Sequence, residues 1–376
     1  METAASGLNE RSGIEIERME QLDRQAAYTG TDEVSPALTF DVTRLEDYLF
    51  ANLPGFAAPL RVKQFRGGQS NPTYLLATDL QKYVLRRKPP GKLLPSAHAV
   101  DREYKVLSAL YPQKFPVPKP LLYCEDESIV GTSFYLMAHV DGRVFWDLPM
   151  PQSNPAERAA VYDSMNATLA KLHAFDPAAI GLADFGKGED YVARQVARWA
   201  KQYIASATEK IVEMDLLAAW LPDNLPPQRA VRIVHGDYRL DNVIFAPGLP
   251  EVRAVIDWEL STIGDPLADF TYHLMAWEMP AAGGFGSLKT LDLEELGIPS
   301  RDAYVAAYAK RTGFDPGPSI DLYLAYNFFR LAAIVQGIVG RVRDGTAANR
   351  HAAARAEAVR PLAETAMHFA RRAGAP

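Results

Sequence analysis

The sequence predicts an α+β fold in two lobes, a small lobe built on an antiparallel sheet and a larger, mostly helical lobe. Strand-like stretches separated by short turns fill residues 60–142, with one helix among them, and Ala-rich segments of helical period dominate from residue 155 onward. The length of 376 residues agrees with two lobes, because a single domain commonly holds about 100 to 200 residues.

Three segments are expected along the chain: a polar leader over residues 1–40, the sheet lobe over 41–140 and the helical lobe over 141–376. The leader is charged throughout and lacks the apolar core of a signal peptide. With 48% hydrophobic and 23% charged residues, the composition is that of an ordinary globular protein, so disorder is expected only at the ends.

Net charge and cysteine content limit the classes of binding partner and the cellular compartment expected for the protein. A formal net charge of -6 weighs against nucleic acid and anionic membranes as partners, since neither polyanion is attracted to a net acidic protein. Cys124 is the only cysteine, which excludes an intramolecular disulfide and a Cys-rich metal site. No apolar run reaches the length of a transmembrane helix without a charge or a breaker. We expect a cytoplasmic protein, and the sequence indicates no oligomeric state.

Turn residues and periodicity define the elements. The stretch "FDVTRLEDYLFANLPG" predicts a helix opened by a capping box of Thr43 and Glu46. A meander of "LRVKQFRGG", "PTYLLATD" and "KYVLRRK" follows, then a helix in "AHAVDREYKVLSALYP" and the strands "KPLLYCED" and "SFYLMAHVDG". In the second lobe, helices are predicted over residues 156–175, 189–207, 208–221, 266–278, 299–312, 318–343 and 346–373.

Polar residues stand at the edges of two short apolar runs, in "VHGDYRLDNVIF" and "AVIDWELSTIGDP". If "NVIF" and "AVID" pair as a hairpin across the turn "APGLPEVR", Asn242 and Asp257 become neighbours. An amide and a carboxylate oxygen are hard ligands suited to magnesium on nucleotide phosphates. Asp237, on the preceding loop, is then a candidate base. Taken alone, "HGDYRLDN" is equally well a polar loop with an Asx turn.

Together these motifs resemble the aminoglycoside phosphotransferase-like kinases, relatives of protein kinases and choline kinases. "HGDYRLDN" matches the catalytic-loop pattern, and "DWE" stands where protein kinases have Asp-Phe-Gly. The resemblance covers residues 43–345 and implies a bilobal protein-kinase-like fold with nucleotide bound by the first lobe. It also implies that Asp237 orients and deprotonates an acceptor hydroxyl, and that Asn242 and Asp257 hold magnesium on ATP.

A glycine-rich turn, "FRGGQSNPTY", lies between the first two strands of the meander. Such a turn lets backbone N–H groups approach phosphates without obstruction by a Cβ. The candidate nucleotide contacts there are Gly67, Gly68, Ser70 and Asn71. A plain hairpin turn uses the same residue types, and only the position at the start of the meander favours nucleotide contact.

The resemblance further implies a phosphate-binding cation on the third strand, paired with a helix glutamate. Arg86 stands where lysine is commoner, and a guanidinium can fork onto phosphate or carboxylate. Glu103 is the predicted partner. Alternation along the strand places Arg87 on the face opposite Arg86, whereas Lys88 shares the face of Arg86 and is a rival. In a plainer interpretation these cations are solvated on an edge strand and Glu103 is an exposed helix charge.

Position alone selects the remaining nucleotide contacts. The backbone of Ala138, His139 and Val140, in the strand that connects the lobes, is expected to read an adenine edge, with His139 serving as a linker residue. Glu259 stands where protein kinases have glycine, and a second metal contact and a cap are both open interpretations.

Several residues around the catalytic loop are predicted to have structural roles. Asp265 caps a helix that begins at Pro266. Asp269 either braces the catalytic loop or serves as a favourable charge in the first helical turn. His235 is expected to brace its own loop by hydrogen bonds, and His173 to pack in a helix.

The predicted activity is an ATP- and magnesium-dependent transfer of the γ-phosphate to a hydroxyl of a small molecule. "VLRRKPPG", "HGDYRLDN" and "DWELSTIGDPLADF" look most like the subgroup associated with acyl-CoA dehydrogenases, which implies a hydroxyacyl-CoA-type acceptor rather than an aminoglycoside. Acidic residues after position 277 are diluted by apolar ones, which argues against a polycationic acceptor. The alternative is a catalytically silent kinase-like module that binds nucleotide or a partner.

Overall fold

A computed structural model of the chain describes residues 25–67, 71–91, 98–225, 228–343 and 356–376. Contacts within the chain divide it into two compact units. Unit 1 comprises Met1–Pro151 and Leu240–Glu259, and unit 2 comprises Gln152–Arg239 and Leu260–Pro376. A segment from late in the chain is therefore part of unit 1.

Unit 1 is built on a six-stranded antiparallel sheet with the strand order β1-β2-β3-β4-β6-β5. The strands are β1 Thr31–Asp32, β2 Arg61–Phe65, β3 Thr73–Ala77, β4 Lys82–Arg87, β5 Pro120–Cys124 and β6 Phe134–Ala138. The meander and the two later strands appear as predicted, whereas β1 was missed because two residues carry no periodic pattern. β6 pairs with β4, so Arg86 on the inner strand β4 lies between Thr73 and Tyr135.

The helices α1 Val42–Asn52, α2 Val100–Leu110 and α3 Glu127–Val130 accompany the sheet, and residues 25–28 are also helical. The capping box predicted for α1 is wrong. The N-cap is Asp41, whose Oδ1 accepts a hydrogen bond from Arg44 N at 3.1 Å. Glu46 instead accepts a hydrogen bond from the backbone of Leu60, which ties the helix to the loop before β2.

The core of unit 1 forms where α1 and α3 cover one face of the sheet. Alternation along β3 buries every second side chain, as expected for a sheet with one covered face. The buried members of this core are Leu45, Leu49, Leu53, Phe56, Leu60, Tyr74, Leu76, Tyr83, Leu85, Leu122, Cys124, Val130, Phe134 and Leu136. The packing fixes the direction of β4 and with it the face on which Arg86 projects.

The predicted hairpin is present in unit 1. β8 Val243–Phe245 pairs with β9 Val252–Val255, with Val243 opposite Val255. Ile256 N donates a hydrogen bond to Asn242 O at 3.0 Å, which extends the pairing by one step. The backbone at Gly142 approaches β8 so closely that a Cβ there would lie 2.4 Å from Ile244 Cγ2, so only glycine fits.

Unit 2 is mostly helical, and the described fold class is mixed α+β as predicted. Its strands β7 Arg232–Val234 and β10 Thr262–Gly264 pair antiparallel and flank the catalytic-loop motif in sequence. The helices are α4 Pro155–Ala174, α5 Tyr191–Ser206, α6 Val212–Asn224, α7 Pro266–Leu274, α8 Leu293–Leu296, α9 Arg301–Thr312, α10 Ile320–Arg343 and α11 Val359–Arg372. The start of the helix predicted over 346–373 lies outside the described residues.

Within the described residues, one helical segment, Ile320–Gly340 in α10, is long and apolar enough to cross a membrane by length and composition. Of that window, 78% is buried inside the protein. The segment packs mainly against α11 and α5, which is the position of a core helix.

Candidate active site

The open end of the β8–β9 hairpin brings two candidate ligands together. Asn242 directly precedes β8 and is buried, and Asp257 follows β9 with 26% of its side chain exposed. Both line the same cavity of unit 1. Asp257 has a φ of +65°, a left-handed conformation that aspartate tolerates better than most residues. The turn after β9 therefore aims the carboxylate back toward the cavity.

A buried guanidinium lies beside these residues. Arg86 Nη2 donates to Asp257 Oδ1 at 2.5 Å, and Arg86 Nε lies 3.2 Å from Glu103 Oε2. Glu259 Oε2 is 3.6 Å from Arg86 Nη2. Although burial lowers the pKa of Arg86, the charges of Glu103 and Asp257 raise it above its usual value. One guanidinium thus lies among three carboxylates in unit 1.

Glu103 anchors this cluster from α2. Its Oε1 accepts a hydrogen bond from Asn71 Nδ2 at 2.9 Å, and its Oε2 accepts one from Tyr135 OH at 3.0 Å. Burial raises the pKa of Glu103, and the Arg86 guanidinium opposes that shift. Asn71 also donates to Glu259 Oε2 at 3.3 Å. The predicted Arg86–Glu103 pair is therefore present and buried, and its glutamate is not an exposed helix charge.

The two cations that follow Arg86 in sequence have different surroundings. Arg87 projects to the other face, where it donates to Tyr74 OH at 3.1 Å and to Leu38 O at 2.7 Å. Lys88 is half-buried and does not line the cavity. Because β4 is an inner strand and both arginines are buried, the interpretation of solvated cations on an edge strand is wrong.

A cavity of about 390 Å³ lies within unit 1. It contains the predicted connecting-strand residues Ala138, His139 and Val140, together with Gly67 of the glycine-rich turn. Apolar side chains of the sheet and the hairpin form much of its wall: Val84, Met137, Ile244 and Ile256. Gly68 and Ser70, the other predicted turn contacts, lie outside the described residues, and Asn71 contacts Glu103 instead of lining the cavity.

His139 and its neighbours show what holds the connecting segment. His139 Nδ1 lies 3.4 Å from Asp141 Oδ1, and burial lowers the pKa of His139 below its usual value. The backbone N–H of Ala138 donates to Lys119 O, and that of His139 to Lys82 O. A charge on the imidazole is thus disfavoured.

In unit 2, the loop "HGD" is held from below by one buried carboxylate. Asp269 Oδ2 accepts from His235 N, and Asp269 Oδ1 accepts from Gly236 N, both at 2.8 Å. His173 Nε2 lies 3.2 Å from the same carboxylate. Burial raises the pKa of Asp269, but the hydrogen bond with His173, the charges of His173 and His235 and the hydrogen bond from Gly236 N together outweigh it, and the pKa is lowered. Asp269 therefore braces the loop, and it also lies in the first turn of α7, so both interpretations of this residue agree with the structure.

Glycine at the centre of this loop meets a backbone requirement. Gly236 has a φ of +84°, and a Cβ at this position would lie 2.6 Å from Leu260 O. Asp237 N donates to His235 Nδ1 at 3.3 Å, which continues the turn. The loop thereby presents the Asp237 side chain, 21% exposed, at its tip.

Two residues that sequence reasoning missed contact this loop. Tyr272 OH donates to Asp237 Oδ1 at 2.7 Å. Arg330 lies with its guanidinium carbon 5.1 Å from the Tyr272 ring centre and donates to Gly236 O at 3.1 Å. Tyr272 is the eighth residue of the "DPLADFTYHL" stretch, and in the sequence it resembles any other apolar position of a helix. No sequence pattern therefore predicted its contact with Asp237.

The capping role predicted for Asp265 is confirmed. Its Oδ1 accepts a hydrogen bond from Leu267 N at 2.9 Å, and Pro266 occupies the first helical position of α7. His173 is buried and its Nδ1 lies 2.7 Å from Tyr308 OH, as expected for a packed and hydrogen-bonded histidine.

Magnesium fits the donor chemistry of the Asn242 and Asp257 pair. Among the described residues, no group of three or more His, Cys, Asp or Glu is arranged to hold a metal ion. Magnesium in nucleotide sites usually takes one or two protein carboxylates and completes its shell with phosphates and water. A site of one carboxylate and one amide oxygen suits that partition.

Comparison with known proteins places the chain among phosphotransferases. The family model described as "Phosphotransferase enzyme family" matches residues 61–318. Acyl-CoA dehydrogenase family member 11 of Rattus norvegicus is 46% identical over 348 residues, which are 91% of this chain and 45% of that relative. The chain thus spans less than half the length of the curated relative.

Solved structures give the same result. A candidate aminoglycoside phosphotransferase from Ralstonia eutropha is 46% identical, with a TM-score of 0.81 over 89% of this chain and 99% of that chain. Choline kinase from Cryptosporidium parvum shares the fold, with 13% identity and a TM-score of 0.58 over 88% of this chain and 95% of that chain. So does a thermostable aminoglycoside phosphotransferase mutant solved with ADP and hygromycin B, with 15% identity and a TM-score of 0.55 over 88% and 99%. The chain belongs to the phosphotransferase enzyme family and has its kinase-like fold.

Proposed function

We propose that the protein is an ATP- and magnesium-dependent kinase that moves the γ-phosphate to a hydroxyl of a small molecule. The observation that carries the proposal is the arrangement in unit 1, where Asn242, Asp257 and Arg86 line one cavity with the connecting strand. A nucleotide complex of a distant neighbour, solved with ADP, adds support from the same fold. ATP is the nucleotide we assign on this basis.

In this proposal the cavity residues of unit 1 bind and orient the nucleotide. The backbone of Ala138, His139 and Val140 reads the adenine edge, and the backbone of Gly67 contacts the phosphates. Magnesium, when bound, neutralises charge on the phosphates and is held by Asn242 and Asp257. Arg86 then shifts part of its pairing from Asp257 to phosphate oxygen, while Glu103 keeps it in place.

Asp237 is the residue we assign to the acceptor. Its Oδ1 accepts the hydrogen bond of Tyr272 and lies 3.7 Å from Arg239 Nε, so a hydroxyl and a guanidinium both orient the carboxylate. As the acceptor oxygen bonds to phosphorus, its proton passes to the Asp237 carboxylate and the bond from phosphorus to the ADP oxygen breaks. The residue needs little basicity for this step, since the charge on the transferred group is stabilised mainly by position and by cations.

The acceptor we propose is an uncharged or acidic hydroxyl compound of the hydroxyacyl-CoA type. The support is the name of the relatives, which are acyl-CoA dehydrogenase family members of more than twice the matched length. Hygromycin B is bound by a neighbour only 15% identical, which carries no weight for the acceptor of this chain.

The test is ADP release with magnesium across hydroxylated metabolites, including hydroxyacyl-CoA esters and aminoglycosides. We expect turnover with a hydroxyacyl-CoA ester, and efficient turnover with an aminoglycoside instead would overturn the acceptor. Asp237→Ala is expected to lower kcat by about 10²- to 10⁴-fold while ATP binding is retained. Asp257→Asn is expected to weaken magnesium-dependent ATP binding itself.

The second candidate is a catalytically silent module that binds nucleotide or a partner. The ion pair between Arg86 and Asp257 is the observation that favours it, because it engages a proposed metal ligand. The two candidates differ in one result. A silent module binds ATP with magnesium but releases no ADP with any acceptor, and Asp237→Ala then changes nothing.

A further inference from the structure

A short segment near the start of the described chain borders the nucleotide cavity. Residues 25–32, named here the N-terminal strap, precede the region that the family model matches. Tyr28, Thr29 and Gly30 of the strap line the cavity. The strap ends in β1, which pairs with β2.

Hydrogen bonds attach the strap at two places within unit 1. Gln25 Nε2 donates to Val144 O at 2.9 Å, and Gln25 Oε1 accepts from Trp146 N at 3.1 Å. At the other end, Arg66 N donates to Gly30 O at 3.2 Å, and Arg66 Nη2 donates to Asp32 Oδ1 at 2.9 Å. The strap therefore joins the end of β2, which leads into the glycine-rich turn, to the segment that follows the connecting strand.

The strap brings two rings together at the cavity. Tyr28 stacks on Trp146 with ring centres 4.8 Å apart and an angle of 29° between the planes. Both rings line the cavity. A Cβ built on Gly67 would lie 3.1 Å from Trp146 Cη2, so the indole edge packs directly against the glycine-rich turn. The position of Trp146 thus depends on the strap on one side and on Gly67 on the other.

We propose that the Tyr28–Trp146 pair is an aromatic wall that contacts the nucleoside part of the bound nucleotide and contributes to its selection. The inference rests on the proposed function, since it takes the cavity ligand to be a nucleoside triphosphate. Aromatic faces stack on flat bases and pack against ribose, whereas they give little to phosphate, which is bound by cations and N–H groups. The wall therefore distinguishes a nucleotide from its bare phosphate chain.

Binding of two probes separates this role from a purely structural one. ATP and inorganic tripolyphosphate, each with magnesium, are titrated calorimetrically into wild type, Tyr28→Ala and Trp146→Ala. We expect Kd for ATP to rise about tenfold in both variants, as for loss of one stacking partner, while Kd for tripolyphosphate changes less than about twofold. Phe50→Ala, at an exposed ring of α1, is the matched control and leaves both constants unchanged.

Two further variants keep the test decisive. Trp146→Phe retains a ring if Trp146→Ala does not fold, and it is expected to restore most of the ATP affinity. Gly67→Ala inserts a methyl group against the indole and is expected to weaken ATP binding in wild type but not in Trp146→Ala.

The outcomes separate this proposal from the proposed function. Equal loss of ATP and tripolyphosphate binding in Tyr28→Ala, or no loss of either, overturns the aromatic wall but leaves a kinase. A wild-type protein that binds tripolyphosphate but not ATP overturns both. Loss of ATP affinity alone supports the wall whether or not turnover is found.

Discussion

Around Arg86, the side chains of unit 1 are held by ion pairs, whereas the loop of Asp237 in unit 2 is held mainly by hydrogen bonds to its backbone. Arg86 lies between Glu103, Asp257 and Glu259. Asp269, by contrast, accepts hydrogen bonds from two consecutive backbone N–H groups of one loop, one on each carboxylate oxygen. The cluster around Arg86 has excess negative charge, whereas both carboxylate oxygens of Asp269 already accept hydrogen bonds.

Of the two regions, the charged cluster around Arg86 is the one suited to respond to a ligand. A cluster with three carboxylates around one guanidinium is stabilised when a second cation binds, because that cation relieves the mutual repulsion of the carboxylates. A loop fixed by a buried carboxylate and a glycine turn stays in one conformation. It therefore orients Asp237 before a ligand binds. We therefore expect unit 1 to be sensitive to magnesium and salt, and the unit 2 loop to be sensitive to loss of single hydrogen bonds.

The largest effect is expected from removal of the brace. Asp269→Ala leaves two buried N–H donors and His173 without their acceptor, and we expect a loss of about 3 to 5 kcal/mol in the free energy of unfolding. Urea unfolding measures this loss. At 2% exposure, Asp269 has no water to replace the carboxylate.

An exposed aspartate of the same unit provides the control for Asp269. Asp163 pairs with Arg311 at 2.7 Å, but 64% of its side chain is exposed. Asp163→Ala is expected to cost at most about 1 kcal/mol. Equal losses in the two variants would contradict the bracing role of Asp269.

Removal of the cation tests the charged region of unit 1. Arg86→Met leaves Glu103 buried without a counter-charge, so we expect about 3 kcal/mol of lost stability and at least a tenfold rise in Kd for ATP. Calorimetric titration and urea unfolding measure the two effects. Magnesium is expected to restore part of the stability of Arg86→Met, since it can bind carboxylates that have lost their pairing with the guanidinium.

Lys88→Met is the matched control, because Lys88 lies two residues after Arg86, directly after the end of β4, but does not line the cavity. We expect its Kd for ATP to change less than about twofold. A tenfold rise in Lys88→Met with no change in Arg86→Met would assign the phosphate-binding cation to Lys88.

Much of this arrangement was predictable because short-range patterns determine it. Val/Ile runs around a Pro-Gly turn predicted the β8–β9 hairpin and the nearness of Asn242 to Asp257. Strand alternation predicted that Arg86 and Arg87 project to opposite faces, and both predictions are confirmed by the observed pairing.

What sequence reasoning missed depends on contacts between distant parts of the chain. Asp41 rather than Thr43 caps α1, and Glu46 accepts a hydrogen bond from Leu60 N, 14 residues away in sequence. Tyr272 follows Asp237 by 35 residues and shows no pattern that links them. The roles proposed for the site residues themselves remain predictions that the variants above test.

Acid is expected to weaken unit 2 through His273. Burial lowers the pKa of His273 to about 4, against 6.5 in an unfolded chain. Between those two pH values the imidazole is protonated in the unfolded chain but not in the folded protein. The free energy of unfolding is therefore highest above pH 6.5 and falls as the pH drops toward 4. At about 1.4 kcal/mol per pH unit the loss approaches 3 kcal/mol.

Urea midpoints between pH 7 and pH 4 measure that loss. His273→Gln keeps an acceptor for Tyr304 OH, which lies 2.9 Å from His273 Nε2, but has no titrating group. We expect its stability to fall less steeply over the same range. Identical pH dependence in the variant would remove His273 as the cause.

The smallest effect is expected from Tyr272→Phe, which removes one hydroxyl and keeps the ring under Arg330. The lost bond to Asp237 is charge-assisted, so we expect kcat to fall about tenfold with KM for ATP unchanged. Tyr323→Phe is the control, because it removes an equivalent 2.7 Å bond to Asp265, at the start of α7. It is expected to lower stability but not kcat. If both variants lost kcat equally, Tyr272 would act through folding alone, and the loop around Asp237 would be no better oriented than the rest of unit 2.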